Sequence, residues 1–148
     1  DDRGALLLEL ADRVTDIVGT SALSWLELPA TAGRDDLKKV LAELVATYAE
    51  HRHTLAAVAE AAAYDSRVRE QYGQVMNRRI SFMSEHFRRQ QDNGMIRASV
   101  ELDEVTPWLV WMIERGLYQL ISHQNTFSDS ALEGLTTVVW QTLYEPAH

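Results

Sequence analysis

PWLVWMIERGLYQLISH, residues 107–123, reads as a helix that is apolar almost all the way round. At about 100° per residue, Leu109, Val110, Trp111, Ile113, Leu117, Tyr118, Leu120 and Ile121 cover well over half of the circumference. The opposite side carries Arg115, Gln119, Ser122 and His123, yet Trp108, Met112 and Gly116 fall there too. A surface helix of a small soluble protein shows one apolar stripe. Two apolar faces imply that one looks into the protein's own interior and the other onto a second subunit. Glu114 falls inside the inner arc, between Tyr118 and Ile121, so the interior is expected to hold a polar site as well as a core.

Helical periodicity dominates on either side of this stretch, and no segment alternates like a strand. A first helix is expected from about Asp2 to Leu28, with Leu6, Leu7, Leu10, Val14, Ile17, Val18 and Trp25 on one side and a bend at Gly19. Residues 29–34 read as a turn, and the Asp35-Asp36 pair suits the positive end of a helix running to about His51. Residues 54–64 are short and alanine-rich, which lets neighbours approach closely and predicts a central position. Asp65 or Ser66 caps a long helix to about Asp92, and Asn93-Gly94 supplies a left-handed stop. Thr106 and Pro107 suit the cap and first position of the next helix, with Asp103 as a start one turn earlier. Ser128 caps the last helix, which ends near Tyr144 ahead of Pro146, and Phe127 with Leu132 is spaced for a hydrophobic staple. The fold class is all-α, a single domain over residues 1–148 with about six helices.

At 148 residues such a domain buries a core without staples. The absence of cysteine excludes disulfides and thiol chemistry. No leader pattern and no apolar run of membrane-spanning length is present, so the chain is expected to be soluble and cytoplasmic, with no membrane partner. A net charge of −8, with basic pairs dispersed at 38–39, 78–79 and 88–89, argues against direct contact with nucleic acid, which needs a clustered basic surface.

The long helix repeats the oddity of the opening stretch. Its stripe is Val68, Tyr72, Val75, Met76, Ile80, Met83 and Phe87; Arg79 falls in the middle of it and His86 near its edge. Arg79 and Glu114 are therefore opposite charges on two apolar faces, and burying either alone is expensive. Three arrangements satisfy them. Arg79 reaches solvent along its stem, the two form an internal salt bridge, or both face a ligand cavity walled by Tyr72, Met76, Met83, Val110, Ile113 and Leu117. Trp140 and Tyr144 share an edge of the last helix, where a large ring either closes one end of a cavity or packs as an ordinary edge. Catalytic signatures are lacking: there is no phosphate loop and no nucleophile elbow. The one Glu-x-x-His at 50–53 lacks the partner set of a di-iron site. No metal, cofactor or enzymatic activity is expected.

DRGALLLELADRV (2–14), GMIRASVELDEVTPWLVWMIERGLYQL (94–120) and LTTVVWQTLYEP (135–146) together resemble the effector-binding and dimerisation domain of TetR-family transcriptional regulators. The likeness extends from about Arg3 to Tyr144. Within that family the chain is most similar to the ethionamide-resistance-regulator type. That resemblance implies a repressor domain that senses a mainly apolar small molecule in a long channel and forms a homodimer. The channel would be lined by Leu37, Leu44, Tyr48, Tyr72, Met76, Arg79, Met83, Val110, Ile113, Glu114, Leu117, Tyr118 and Trp140. Val110 and Ile113 stand where that type offers amides, and Arg79 where it offers an aromatic, so ligand identity does not carry over. Trp108, Met112 and Gly116, with Ala131, Val138 and Thr142 on the last helix, are expected at the dimer interface. The family's three-helix DNA-binding head has no counterpart in these residues, so operator DNA is a partner only through that head. Ligand binding would shift the first helix and with it the spacing of the two heads. The rival readings are a helical-bundle enzyme and a protein-interaction module without a small ligand.

Overall fold

The computed structural model describes residues 2–121 and 127–145, and its regular structure is entirely helical. Six longer helices are α1 (Asp2–Ser21), α3 (Arg34–Glu50), α4 (Arg52–Tyr64), α5 (Ser66–Asp92), α6 (Leu102–Ile121) and α7 (Asp129–Val139). A single turn, α2 (Leu23–Leu26), follows α1, and a π-helical turn, Trp140–Tyr144, continues α7. Ser122, His123 and Pro146, used in the reading above, lie outside the described residues. Among the described residues, no helix is long and apolar enough to cross a membrane.

The ends follow local chemistry. Asp65 caps α5 by accepting from the Arg67 N–H at 2.9 Å, and Ser128 caps α7 by accepting from the Ala131 N–H at 3.1 Å. At the start of α3 the Gly33 N–H donates to Asp36 at 2.9 Å, satisfying an amide that lies outside the helical ladder. Gly94 stops the chain after α5 with φ of 86°, a conformation that costs any residue with a Cβ.

Tertiary packing overrides the sequence pattern in four places. The first helix does not run to Leu28 with a bend at Gly19. It tightens at Ala22, whose N–H donates to the Gly19 carbonyl three residues back at 3.1 Å, and the redirected turn buries Trp25 and Leu26. Helix α6 begins at Leu102, five residues before Pro107, next to the earlier expected start at Asp103 and not at Thr106. The Glu101 carbonyl accepts from Glu104 and Val105 at 3.0 Å each, Asp103 and Glu104 complement the helix's positive end, and Thr106 is fully buried inside the helix. Proline is tolerated there because only the Asp103 carbonyl, one turn back on an exposed residue, loses its donor. Helix α4 packs on α1, α5 and α6 but adds little to the main core. Val58 is its buried residue, in a small cluster with Ala11 and Val68, because alanine offers too little area to hold a main core. The α7 ladder opens into a π turn, closed by Glu145 N–H to the Trp140 carbonyl at 2.9 Å.

The main core gathers Trp25, Leu37, Leu41, Met76, Phe87, Ile96, Ile121 and Leu143 between α2, α3, α5, α6 and the π turn. Trp25 and Phe87 pack with ring centroids 5.3 Å apart. A buried polar chain fastens this end. The Trp25 indole donates to the Tyr144 hydroxyl at 2.9 Å, Tyr144 donates to Gln90 Oε1 at 2.7 Å, and Gln90 Nε2 donates to the Trp25 and Leu26 carbonyls at 3.1 Å. Helix α3 is tied to α7 by Arg34 and Lys38 on Glu133, at 2.8 and 2.5 Å.

Candidate functional site

Four helical ridges converge on one internal cavity. Val110, Ile113, Glu114 and Leu117 come from α6 and Arg79, Phe82 and Met83 from α5. Leu44 and Tyr48 come from α3, and Val18, Gly19, Ala22 and Trp25 from α1 and α2. In α3, α5 and α6 each set falls at spacings of three, four or seven residues, so each is one face of its helix; Val18 and Gly19 lie in the last turns of α1, and Trp25 is brought in by the turn that follows Ala22. About 50 Å³ is open to the centres of water-sized molecules, room for a few waters at about 10–15 Å³ each. Most of the wall is hydrocarbon. A Cβ added at Gly19 would meet nothing within 4 Å, so that position opens onto free space.

Three polar side chains interrupt the wall. Glu114 is only 7% exposed, and its Oε2 has no hydrogen-bond donor. Tyr48 is 3% exposed, and its hydroxyl is likewise without a partner. Arg79 reaches across to α1, donating to the Thr15 carbonyl at 3.3 Å. Arg79 and Glu114 form no ion pair; the cation nearest to Glu114 Oε2 is Arg115 Nε, at 4.0 Å and half out in solvent. Burial, and then the Glu114 carboxylate, push the Tyr48 and Tyr72 phenols well above their usual range. Both phenols thus stay protonated, as O–H donors. Burial pulls Arg79 below its ordinary value against the raising influence of Tyr72 and Glu114. Orphaned buried polar atoms are rare in native proteins, and two of them belong to residues that line this one cavity, so an occupant there, water or ligand, finds hydrogen-bond partners.

Of the residues expected to line a channel, Leu44, Tyr48, Arg79, Met83, Val110, Ile113, Glu114 and Leu117 border this cavity. Five do not. Leu37 and Met76 are fully buried in the core. Tyr72 packs edge-on against Trp111 at 6.0 Å, Tyr118 lies under the Arg115 guanidinium at 5.2 Å, and Trp140 packs on Tyr144 at 5.4 Å. The α1–α2 wall and Phe82 were not anticipated. Val18 and Trp25 belonged to a legible apolar stripe, but the break at Ala22 that aims them carries no sequence signal. Gly19, Arg79 and Phe82 also line an outer groove with Asp12, Thr15, Asp16 and Arg78, so they form a thin partition between cavity and surface. Glu50 and His53 sit at the α3–α4 junction, away from the cavity lining.

The outer face of α6 is the second feature. Trp108 is 80% exposed, and Met112, Leu120 and Val138 are exposed too. Two adjoining surface grooves there take in Trp108, Met112, Gly116, Ala131, Val138 and Thr142, the whole set expected at a subunit interface.

An internal cavity with a few polar groups and an uncovered apolar α6–α7 face agree with the affinity that comparison with known proteins brings out. No curated protein matches the chain. The family described as transcriptional regulator EthR, C-terminal domain, matches residues 37–145, from the first buried turn of α3 to the end of the π turn. The chain belongs to that family of TetR-type regulator domains.

Proposed function

We propose that this domain binds a mainly apolar small molecule in the α1–α3–α5–α6 cavity, forms a homodimer through α6 and α7, and in a complete repressor couples the ligand to release from DNA. The observation that carries this reading is the internal cavity itself, lined by hydrocarbon from four helices and entered by Arg79, Glu114 and Tyr48, in a member of a regulator family. Its size supports a specific mechanism. Pockets that hold drug-sized ligands run to about 300–1,000 Å³, so an effector must widen this cavity by moving a wall. Helix α1 is the wall suited to moving, since at Gly19 it stands between the cavity and the outer groove and its ladder is interrupted at Ala22. A ligand that fits only the widened state shifts the population toward it by that difference in affinity, and α1 carries the displacement along its length.

Binding of butylbenzene, followed by calorimetry and by a rise in melting temperature, tests the cavity. At a hundredfold excess over Kd, the domain gains about 2.7 kcal/mol of stability. Val110→Phe, which fills the space, removes the binding while the protein stays folded. No binding by wild type, or binding undiminished in a folded Val110→Phe variant, would overturn the assignment.

A further inference from the structure

We infer that the effector meets the cavity with an uncharged head group that both donates and accepts hydrogen bonds, an alcohol or a carboxamide on an apolar body, and that Glu114 and Tyr48 recognise it. This rests on the ligand-binding reading of the cavity, and it concerns which chemistry the cavity selects.

The two orphaned atoms define the complement. Glu114 Oε2 lacks a donor, and the Tyr48 hydroxyl lacks any partner. A group that satisfies both offers an N–H or O–H to the carboxylate oxygen and an oxygen to the phenol O–H. Burial and the neighbouring carboxylate keep Tyr48 protonated, so its proton is available to give.

Charge excludes the ionic alternatives. An ammonium head would enter beside the Arg79 guanidinium, which lines the same cavity, and Arg115 Nε already stands 4.0 Å from Glu114 Oε2. A carboxylate head would bring a second anion beside Glu114 within a largely hydrocarbon wall, where like charges repel more strongly than in water. Arg79 does not offset this, because its charge is already balanced against Glu114 and its guanidinium donates to the Thr15 carbonyl. An uncharged donor–acceptor head avoids both costs. Each hydrogen bond it makes replaces one that a water would otherwise supply, so the head sets orientation and selectivity, while the apolar body sets most of the affinity.

Calorimetric titration of the domain with 1-octanol, octanamide, octanoate, octylammonium and butylbenzene at neutral pH tests this. The alcohol and the amide are expected to bind about tenfold more tightly than either ion, the scale of one hydrogen bond to a charged group. Glu114→Gln narrows that gap and improves octanoate, since the carboxamide side chain gives a donor and removes the like charge. Tyr48→Phe weakens the alcohol about threefold and leaves butylbenzene unchanged; should Glu114→Gln fail to fold, this variant decides. Tightest binding by octanoate or octylammonium overturns the inference, as does a head-group preference unchanged in both folded variants. Butylbenzene binding as tightly as the alcohol leaves the cavity assignment standing and removes the head-group inference alone. Binding by none of the five probes removes both.

Discussion

Tyr144 shows how one residue can fix a wall of the site from a distance. Its hydroxyl accepts from the Trp25 indole and donates to Gln90, which in turn holds the Trp25 and Leu26 carbonyls. Every donor and acceptor in that chain is matched, the condition under which a buried polar network specifies a single arrangement. Trp25 borders the cavity, so the network sets where its ring stands. Burial raises the Tyr144 phenol above its usual range, and it keeps the proton that Gln90 receives. Tyr144→Phe removes one oxygen but orphans two groups, the Trp25 N–H and Gln90 Oε1. We expect it to cost about 1–3 kcal/mol, measured by urea denaturation with unchanged slope. A loss below about 0.3 kcal/mol would show that water takes over both partners.

Among the elements, α1 and α5 divide cavity from solvent. Gly19, Arg79 and Phe82 have one side on the cavity and the other on the outer groove. Phe82 is the large side chain of the three that is half exposed, and it packs on His86 rather than into the core, with ring centroids 4.4 Å apart. A partition one side chain thick is a candidate route for a ligand. Phe82→Ala is expected to speed both association and dissociation of butylbenzene by about tenfold in stopped-flow fluorescence of Trp25, with Kd changed far less, because it lowers a barrier common to both directions. Unchanged rates would place the portal elsewhere. The π turn after α7 has a comparable positional role: Leu143 and Tyr144 are both buried on it.

At the scale of the whole molecule, the uncovered face matters most. Trp108, Met112, Leu120 and Val138 expose large apolar side chains along α6 and α7, next to the small residues Gly116, Ala131 and Gly134 that let a partner helix come close. The same patch meeting its own copy about a two-fold axis would bury all of them at once, with an apolar centre of the kind homodimer interfaces favour. We expect a dimer at micromolar concentration by sedimentation equilibrium, and a monomer for Met112→Glu, which would bury two unpaired carboxylates across the axis. A monomeric wild type would instead make this face a site for a different protein partner.

Much of this was legible in the residues themselves. The period of 3.6, the caps at Asp65 and Ser128 and the stop at Gly94 dictate an all-helical domain, because they are local choices made by side chain and backbone within a few positions. The apolar circumference of residues 107–123 marked α6 as two-faced, and Glu114 and Arg79 stood out as charges on apolar stripes, since angle along a helix is a property of spacing alone. Tertiary structure decided what spacing cannot reach. It broke the first helix at Ala22 so that Trp25 could find Tyr144, 119 positions away, and it started α6 ahead of Pro107 to bury Leu102 and Thr106. It also left Arg79 and Glu114 without an ion pair to each other, Arg79 donating instead to a carbonyl on α1. Which side chains share a cavity depends on how four helices cross, and crossing is set by the summed packing of all their faces, which no single segment encodes.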